Sequence, residues 1–269
     1  MKYLAAFPRQ EAFESTRDLL VDLNLPYEIL DPEPGFILVG QPALVVDQEA
    51  RLRLMSSLAD GAVLSGWIEY RPSAVAIPRG PSPLFPEDVF GSAAVMVLAP
   101  CIADETKVRL IAHISGDMTE ALPYLNASMA GVIYNPEIPT LTYMDGYRLI
   151  TLYPRRIAVA KADDLPDGWR ILEGVRCRVN EAFARRGSLT PLSVPREKPT
   201  ALAIYALLPR TNCGRCGQRT CMAFALGLHG GRLNPFLCRP LFEDPHQGMQ
   251  DAYREMVARL GYGADDGFN

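Results

Sequence analysis

No apolar run in this chain approaches the ~18 residues of a membrane-spanning helix. The longest, AAVMVLAPCIA and ALAIYALL, have the length of buried strands or a short helix. Histidine is scarce, with only 3 in 269 residues, at 113, 229 and 246. No two of them stand at the HExxH spacing of a zinc helix, and neither a Gly-x-Gly-x-x-Gly fingerprint nor a phosphate loop is present. Ser65 has no nucleophile elbow around it, so no hydrolase triad can be assembled from chain order. The N-terminal stretch MKYLAAFPRQEAF meets acid at Glu11 before any long apolar region, which argues against a secretory signal. A net charge of −4 excludes a global basic field of the kind that recruits nucleic acid. These absences predict a soluble, cytoplasmic protein without a membrane span.

What is present describes a folded globular chain: 48% hydrophobic and 22% charged residues. Its length suits two or three modules. Residues 1–80 read as alternating strands and helices, by period. KYLAAF, PYEIL, FILVG and ALVVD have strand character, Gln10–Leu23 and EARLRLMSSLA are amphipathic helices, and VLSGWIEYR and SAVAI close the unit. The prolines of IPRGPSPLFPED mark a junction or a long ordered loop. Residues 91–187 form a second unit, separate or continuous with the first. It has strands in AAVMVLAP and VRLIAHIS, a short helix in MTEALPYLNASM, a YRLITLY/IAVAKA hairpin and a helix from about Leu165 to Arg185 opened by Asp163 and Asp164. On that helix Gly168, Leu172, Val175, Val179 and Phe183 share a face, with Cys177 nearly opposite. SLTPLSVPREKPT is a linker, residues 200–245 form a cysteine module, and 246–269 add a helix (Asp251–Leu260) and a frayed tail. The predicted class is α/β, with α+β possible, since parallel and ferredoxin-like arrangements share this pattern.

Four of the 6 cysteines cluster in LPRTNCGRCGQRTCMAFALGLHGGRLNPFLCRPLFE, at Cys213, Cys216, Cys221 and Cys238. In a reducing compartment such clusters are metal ligands rather than disulfides, and thiolates select zinc, copper(I) or iron–sulfur clusters. Structural zinc favours two separated short pairs. Here the third cysteine follows by four residues and the fourth stands alone, which favours a cubane iron–sulfur cluster and keeps zinc as the alternative. Gly214 and Gly217 give the chain freedom to turn around the centre, and amide N–H groups pointed at sulfur stabilise an anionic cluster. Thr220 is placed to cap a helix starting at Cys221, which Gly230-Gly231 stop.

The same stretch, with its Asn-Cys-Gly element, apolar helix and Cys238 beside Pro240, resembles the [4Fe-4S] domain of the corrinoid iron–sulfur protein large subunit and of the Rnf complex B subunit. The resemblance covers about residues 200–242. It implies that Cys213, Cys216, Cys221 and Cys238 ligate one [4Fe-4S] cluster. It also suggests a client in a corrinoid or other metalloenzyme system of anaerobic metabolism. In the corrinoid protein the domain is N-terminal, with a barrel and a cobalamin domain after it; here it sits near the C-terminal end.

A cluster with four thiolates has no open iron, which suits one-electron transfer over Lewis-acid catalysis. Between Glu197 and Glu243 there is no Asp or Glu, whereas Lys198, Arg210, Arg215, Arg219, Arg232 and Arg239 are all present. This island either balances cluster charge or docks an acidic redox partner, such as a ferredoxin or flavodoxin. A redox enzyme using the α/β body, with a ligand near Tyr124, Asn126, Tyr134, Asn135, Tyr143, Asp145 and Tyr147, is a second reading. A non-redox, metal-stapled interaction protein is a third. Cys101 reads as a buried small hydrophobe, Cys177 lacks partners at ligand spacing, and His229 reads as a helix C-cap.

Overall fold

The computed structural model describes residues 1–57, 64–74, 80–196, 199–243 and 247–259. The first unit follows from strict alternation. In β1 (Lys2–Ala6) Leu4 and Ala6 point to one core, while Ala5 and the following Phe7 point to another. β3 (Ala43–Asp47) does the same, with Ala43 and Val45 against Leu44 and Val46. Burial on both faces is why ALVVD is an unbroken apolar run. On one face α1 (Gln10–Asp22) and α2 (Gln48–Ser57) contribute Phe13, Leu20, Ala50 and Leu54. With β2 (Glu28–Leu30) and β4 (Gly66–Glu69) the sheet order is β2-β3-β1-β4, antiparallel at each pairing. This split βαββαβ arrangement is the ferredoxin-like topology, one of the two left open by the sequence.

The second sheet is also antiparallel throughout. It contains β5 (Ala93–Cys101), β6 (Asp104–Ile114), β7 (Ile133–Asn135), β8 (Thr140–Asp145), β9 (Arg148–Tyr153) and β10 (Arg156–Ala162), in the order β5-β6-β10-β9-β8-β7. α3 (Leu122–Ser128) and α4 (Leu165–Ala184) pack on its inner face, and the main core lies between them, this sheet and the first. Asp164 caps α4 by accepting the Asp167 N–H, as the acid pair predicts. The chain is thus a mixed α/β protein whose sheets are antiparallel.

The two sheets meet at Ser65 and Gly66. The Leu98 N–H donates to the Ser65 carbonyl at 2.8 Å, and the Ser65 hydroxyl donates to the Val95 carbonyl at 2.5 Å. Gly66 has φ +150°, and a Cβ there would fall 1.9 Å from the Leu98 carbonyl oxygen. Both atoms belong to paired backbone, so neither can yield cheaply. Gly66→Ala is therefore expected to destabilise the fold by about 3 kcal/mol, read as a lowered urea midpoint. An unchanged midpoint would contradict this account of the seam.

FILVG is not a strand. Pro34–Phe36 form a 3₁₀ turn, and the Gly40 N–H returns to the Phe36 carbonyl at 2.7 Å. Phe36 and Val39, three residues apart, both enter the core, a helical spacing that Pro34-Gly35 initiates. Ser73 and Ala74 of SAVAI are not strand, and its Val75–Ile77 lie outside the described residues, as do Glu197, Lys198, His246, Leu260 and the tail from 261. The proline-rich segment 80–91 is an ordered loop fastened to α4. The buried Arg176 donates to Asp88 at 2.8 Å, to Glu173 at 2.9 and 3.0 Å, and to the Pro83 carbonyl at 2.6 Å. The linker is strapped to α3, where the Asn126 amide donates to the carbonyls of Leu192 and Val194 at 2.8 and 3.0 Å.

The C-terminal residues form their own core. α5 (Ala201–Ala206), α6 (Cys221–His229) and α7 (Gln247–Arg259) surround Ile204, Phe224, Leu228, Leu241, Tyr253 and Val257. The Tyr253 hydroxyl donates to the Pro235 carbonyl at 2.8 Å, tying α7 to the 3₁₀ turn before Cys238. Among the described residues, no helix is long and apolar enough to cross a membrane.

Candidate metal centre

Three separate segments carry the four cysteines, and each has a local reason for its shape. The loop 210–217 holds Cys213 and Cys216. It takes left-handed backbone at Arg210 (φ 58°), Asn212 (φ 51°), Gly214 (φ 72°) and Gly217 (φ 80°). Such alternation turns successive N–H groups to one side and forms concavities that favour anions. Cys221 opens α6, which Thr220 caps by accepting the Ala223 N–H at 3.0 Å. Cys238 lies between two 3₁₀ turns begun with the help of Pro235 and Pro240.

The fold brings all four together. Cys213, Cys216, Cys221 and Cys238 line one small cavity with Asn212, Thr220, Phe224 and Pro240. Cys221 and Cys238 are buried, Cys216 is half-buried, and Cys213 reaches the surface. Among the described residues, no three His, Cys, Asp or Glu side chains are grouped so as to hold a single ion.

Two cross-ties fix the segments. The Asn212 Oδ1 accepts the Cys221 N–H at 2.8 Å, joining the loop to α6. Arg215 forks onto Glu243 at 2.8 and 2.7 Å, joining the loop to the stretch after Cys238. The Arg215 N–H and the Thr211 hydroxyl hydrogen-bond the Cys213 sulfur, holding its thiol below the ordinary cysteine range. Burial pushes the Cys238 thiol up to about 11, against a hydrogen bond from the Leu241 N–H. The donor set fits a thiolate-ligated centre: four sulfurs, inward amides, and the positive end of α6 at the cavity.

Asn212, Thr211 and Glu243 were not singled out by spacing. Only the Asn before Cys-Gly left a signal, as part of the resemblance. The cationic island is partly internal: Arg215 is spent on Glu243, and Arg210 donates to the Ala206 carbonyl at 3.0 Å. Arg219, Arg232 and Arg239 are exposed. His229 ends α6, and its Nδ1 lies 3.1 Å from the Pro199 carbonyl, at the end of the helix away from Cys221.

The remaining candidates lie elsewhere. Cys101 is buried at the end of β5. Cys177 is half-buried on α4, its thiol pushed up to about 11 by burial and by Glu173, which makes it a poor nucleophile. Tyr134 and Tyr143 are core residues, Asn126 holds the linker, and the Tyr147 hydroxyl donates to Asp163 at 2.7 Å.

Residues 208–240 match the family model described as "Putative Fe-S cluster". The chain's relatives are more particular. The chain is 34% identical over 67 residues (25% of it) to the acetyl-CoA decarbonylase/synthase complex subunit gamma of Methanothermobacter thermautotrophicus. It is 49% identical over 43 residues (16% of it) to the same subunit of Archaeoglobus fulgidus. It is 35% identical over 65 residues (24% of it) to the corrinoid/iron–sulfur protein large subunit of Moorella thermoacetica. The last bears out the resemblance drawn from the cysteine spacing. The matches span only 15%, 9% and 15% of these relatives' own lengths. No solved structure matches the chain.

Proposed function

We propose that Cys213, Cys216, Cys221 and Cys238 ligate one [4Fe-4S] cluster, and that this protein passes single electrons to or from a partner in the cytoplasm. The observation that carries this is the convergence of all four thiols, from three segments, on one cavity. Their Cys-x2-Cys-x4-Cys-x16-Cys spacing, unlike the two separated short pairs usual for structural zinc, favours a polynuclear cluster in which each thiolate binds a different iron. When bound, such a cluster takes up and releases one electron at a time. The chain supplies the amides that lower the charge on sulfur, the apolar wall at Phe224, and an edge exposed to solvent at Cys213. Residues 200–245 then form a cluster module, and the α/β body supplies recognition. The relatives' printed names support a client in a corrinoid or acetyl-CoA decarbonylase/synthase type of system.

Anaerobic purification with iron, sulfide and zinc analysis tests the proposal; a colourless protein holding one zinc would overturn it. The exposed Arg219 lies between Cys216 and Cys221, so the partner on this side is expected to be acidic. Reduction by a flavodoxin or ferredoxin, followed by stopped flow, should slow about tenfold from low to high salt. Arg219→Glu should slow it at low salt and flatten the salt dependence. A rate indifferent to salt would remove the acidic partner.

A further inference from the structure

We infer that Asn212 is the positioning residue that keeps the Cys213–Cys216 loop in register with helix α6, and thereby fixes how firmly the metal centre is held. The inference rests on the proposed ligation by the four cysteines. Three observations meet at this side chain. Its backbone is left-handed, at φ 51°, a conformation that Asn tolerates better than any residue with a branched or longer side chain. Its Oδ1 accepts the Cys221 N–H at 2.8 Å, one of the amides that a helix's first turn leaves without an internal partner. It also lines the cavity between the loop's thiols and Cys221.

Thr220 already satisfies the Ala223 N–H, so α6 is capped without Asn212. What Asn212 adds is a direct link from the residue before the first ligand to the amide of the third. No other hydrogen bond between side chain and backbone joins these two segments among the described residues. The Arg215–Glu243 fork reaches the Cys238 stretch instead. Without Asn212, the loop and α6 would be joined only by the connection 218–220, by the packing of Cys216 on the C-terminal core and by the metal centre itself.

Three variants of the full chain separate backbone from side chain. Asn212→Gly keeps the left-handed backbone and loses the acceptor. Asn212→Ala loses both. Asn212→Asp keeps both and adds a charge. Iron and sulfide content, the rate of bleaching by a chelator, and the midpoint potential are measured under anaerobic conditions. Gly and Ala should bleach about tenfold faster than wild type. Asp should restore the wild-type rate while moving the midpoint to more negative potential, because an added anion disfavours the reduced, more negative centre. Gly and Ala variants that bleach at the wild-type rate would overturn the inference, as would an Asp variant that bleaches as fast as Gly. Should Ala fail to fold, Gly decides.

Hydrogen exchange supplies a readout that does not depend on the metal. The Cys221 amide should lose protection in the Gly variant of the metal-free protein, with the Ala223 amide, held by Thr220, unchanged. Equal protection of Cys221 in wild type and Gly would sink the positioning role whatever metal the wild type carries. A wild type without iron that still shows this loss would count against the cluster and leave Asn212's role standing.

Discussion

Cys221→Ser is expected to yield a nearly colourless protein. Iron and sulfide should fall from about four each per chain, the content of one cubane, to below about one. The residue is buried at the start of α6, where its backbone is doubly fixed by Asn212 and by the Thr220 cap, so no neighbouring group can swing into its place. Serine keeps the shape but offers a hard oxygen with a far higher pKa than a thiol, a poor match for iron in a sulfide-rich centre. The cooperative unfolding of the body should persist, because the main core between the two sheets contains none of the four cysteines. Cys101→Ser and Cys177→Ser are the controls, one at the end of β5 and one on α4. Both should keep full iron and sulfide. If Cys221→Ser retained wild-type content, the ligand set would be wrong.

The second large effect concerns Arg176, which is 0% exposed. Arg176→Ala would leave Asp88 and Glu173 without their shared cation, free the Pro83 carbonyl, and remove the guanidinium that lies 5.3 Å over the Phe85 ring. Breaking a buried pair from one side costs about 3–5 kcal/mol. The expected result is a protein with a much lower urea midpoint and a loosened 80–91 loop, detected by proteolysis there. Arg176→Met, which removes the charge but fills the space, should lose nearly as much, because two carboxylates remain. The same site sets an acid limit. Burial alone would raise the Asp88 pKa, but the Gly91 N–H, the Asn180 amide and Arg176 outweigh it and hold it below the usual value. A depressed carboxylate stabilises the fold above its unfolded pKa of about 3.9, and that stabilisation is lost as pH falls through the lower folded value. Wild type should therefore lose stability below about pH 4, and Arg176→Ala should show a shallower loss over the same range.

Arg176 also shows where sequence reading stops. With Glu173 three residues before it, the pair looks like an ordinary solvated helix face. Only the return of Asp88, 88 residues earlier, makes it a buried centre. Local chemistry was legible: Asp164 and Thr220 cap their helices, Gly230 ends α6, and the shared face of Gly168, Leu172, Val175, Val179 and Phe183 packs inward. FILVG misled because four apolar residues before a glycine carry no period of their own, and the Pro34-Gly35 turn decided the outcome. The β9–β10 hairpin was within reach, but the pairings of β1 with β3 and β4 and of β6 with β10 were not, since they join strands far apart in the chain. The cysteine spacing found the candidate ligands, but not Thr211, Asn212 or Glu243, which act through single hydrogen bonds that leave no periodic trace.

The two clips on the linker have a consequence for reach. Val194 is hydrogen-bonded to Asn126 of the body, and Pro199 lies against His229 of the cysteine-bearing part. Four residues lie between these anchors, and the five peptide steps, fully extended, cover at most about 18 Å. The cysteine-bearing part is thus on a short leash. Anything bound to the body would meet the cysteine-bearing part at an effective concentration in the millimolar range, set by the tether rather than by how much protein the cell makes. Loosening the Asn126 clip would lengthen the leash by several residues and dilute that encounter without touching a single cysteine.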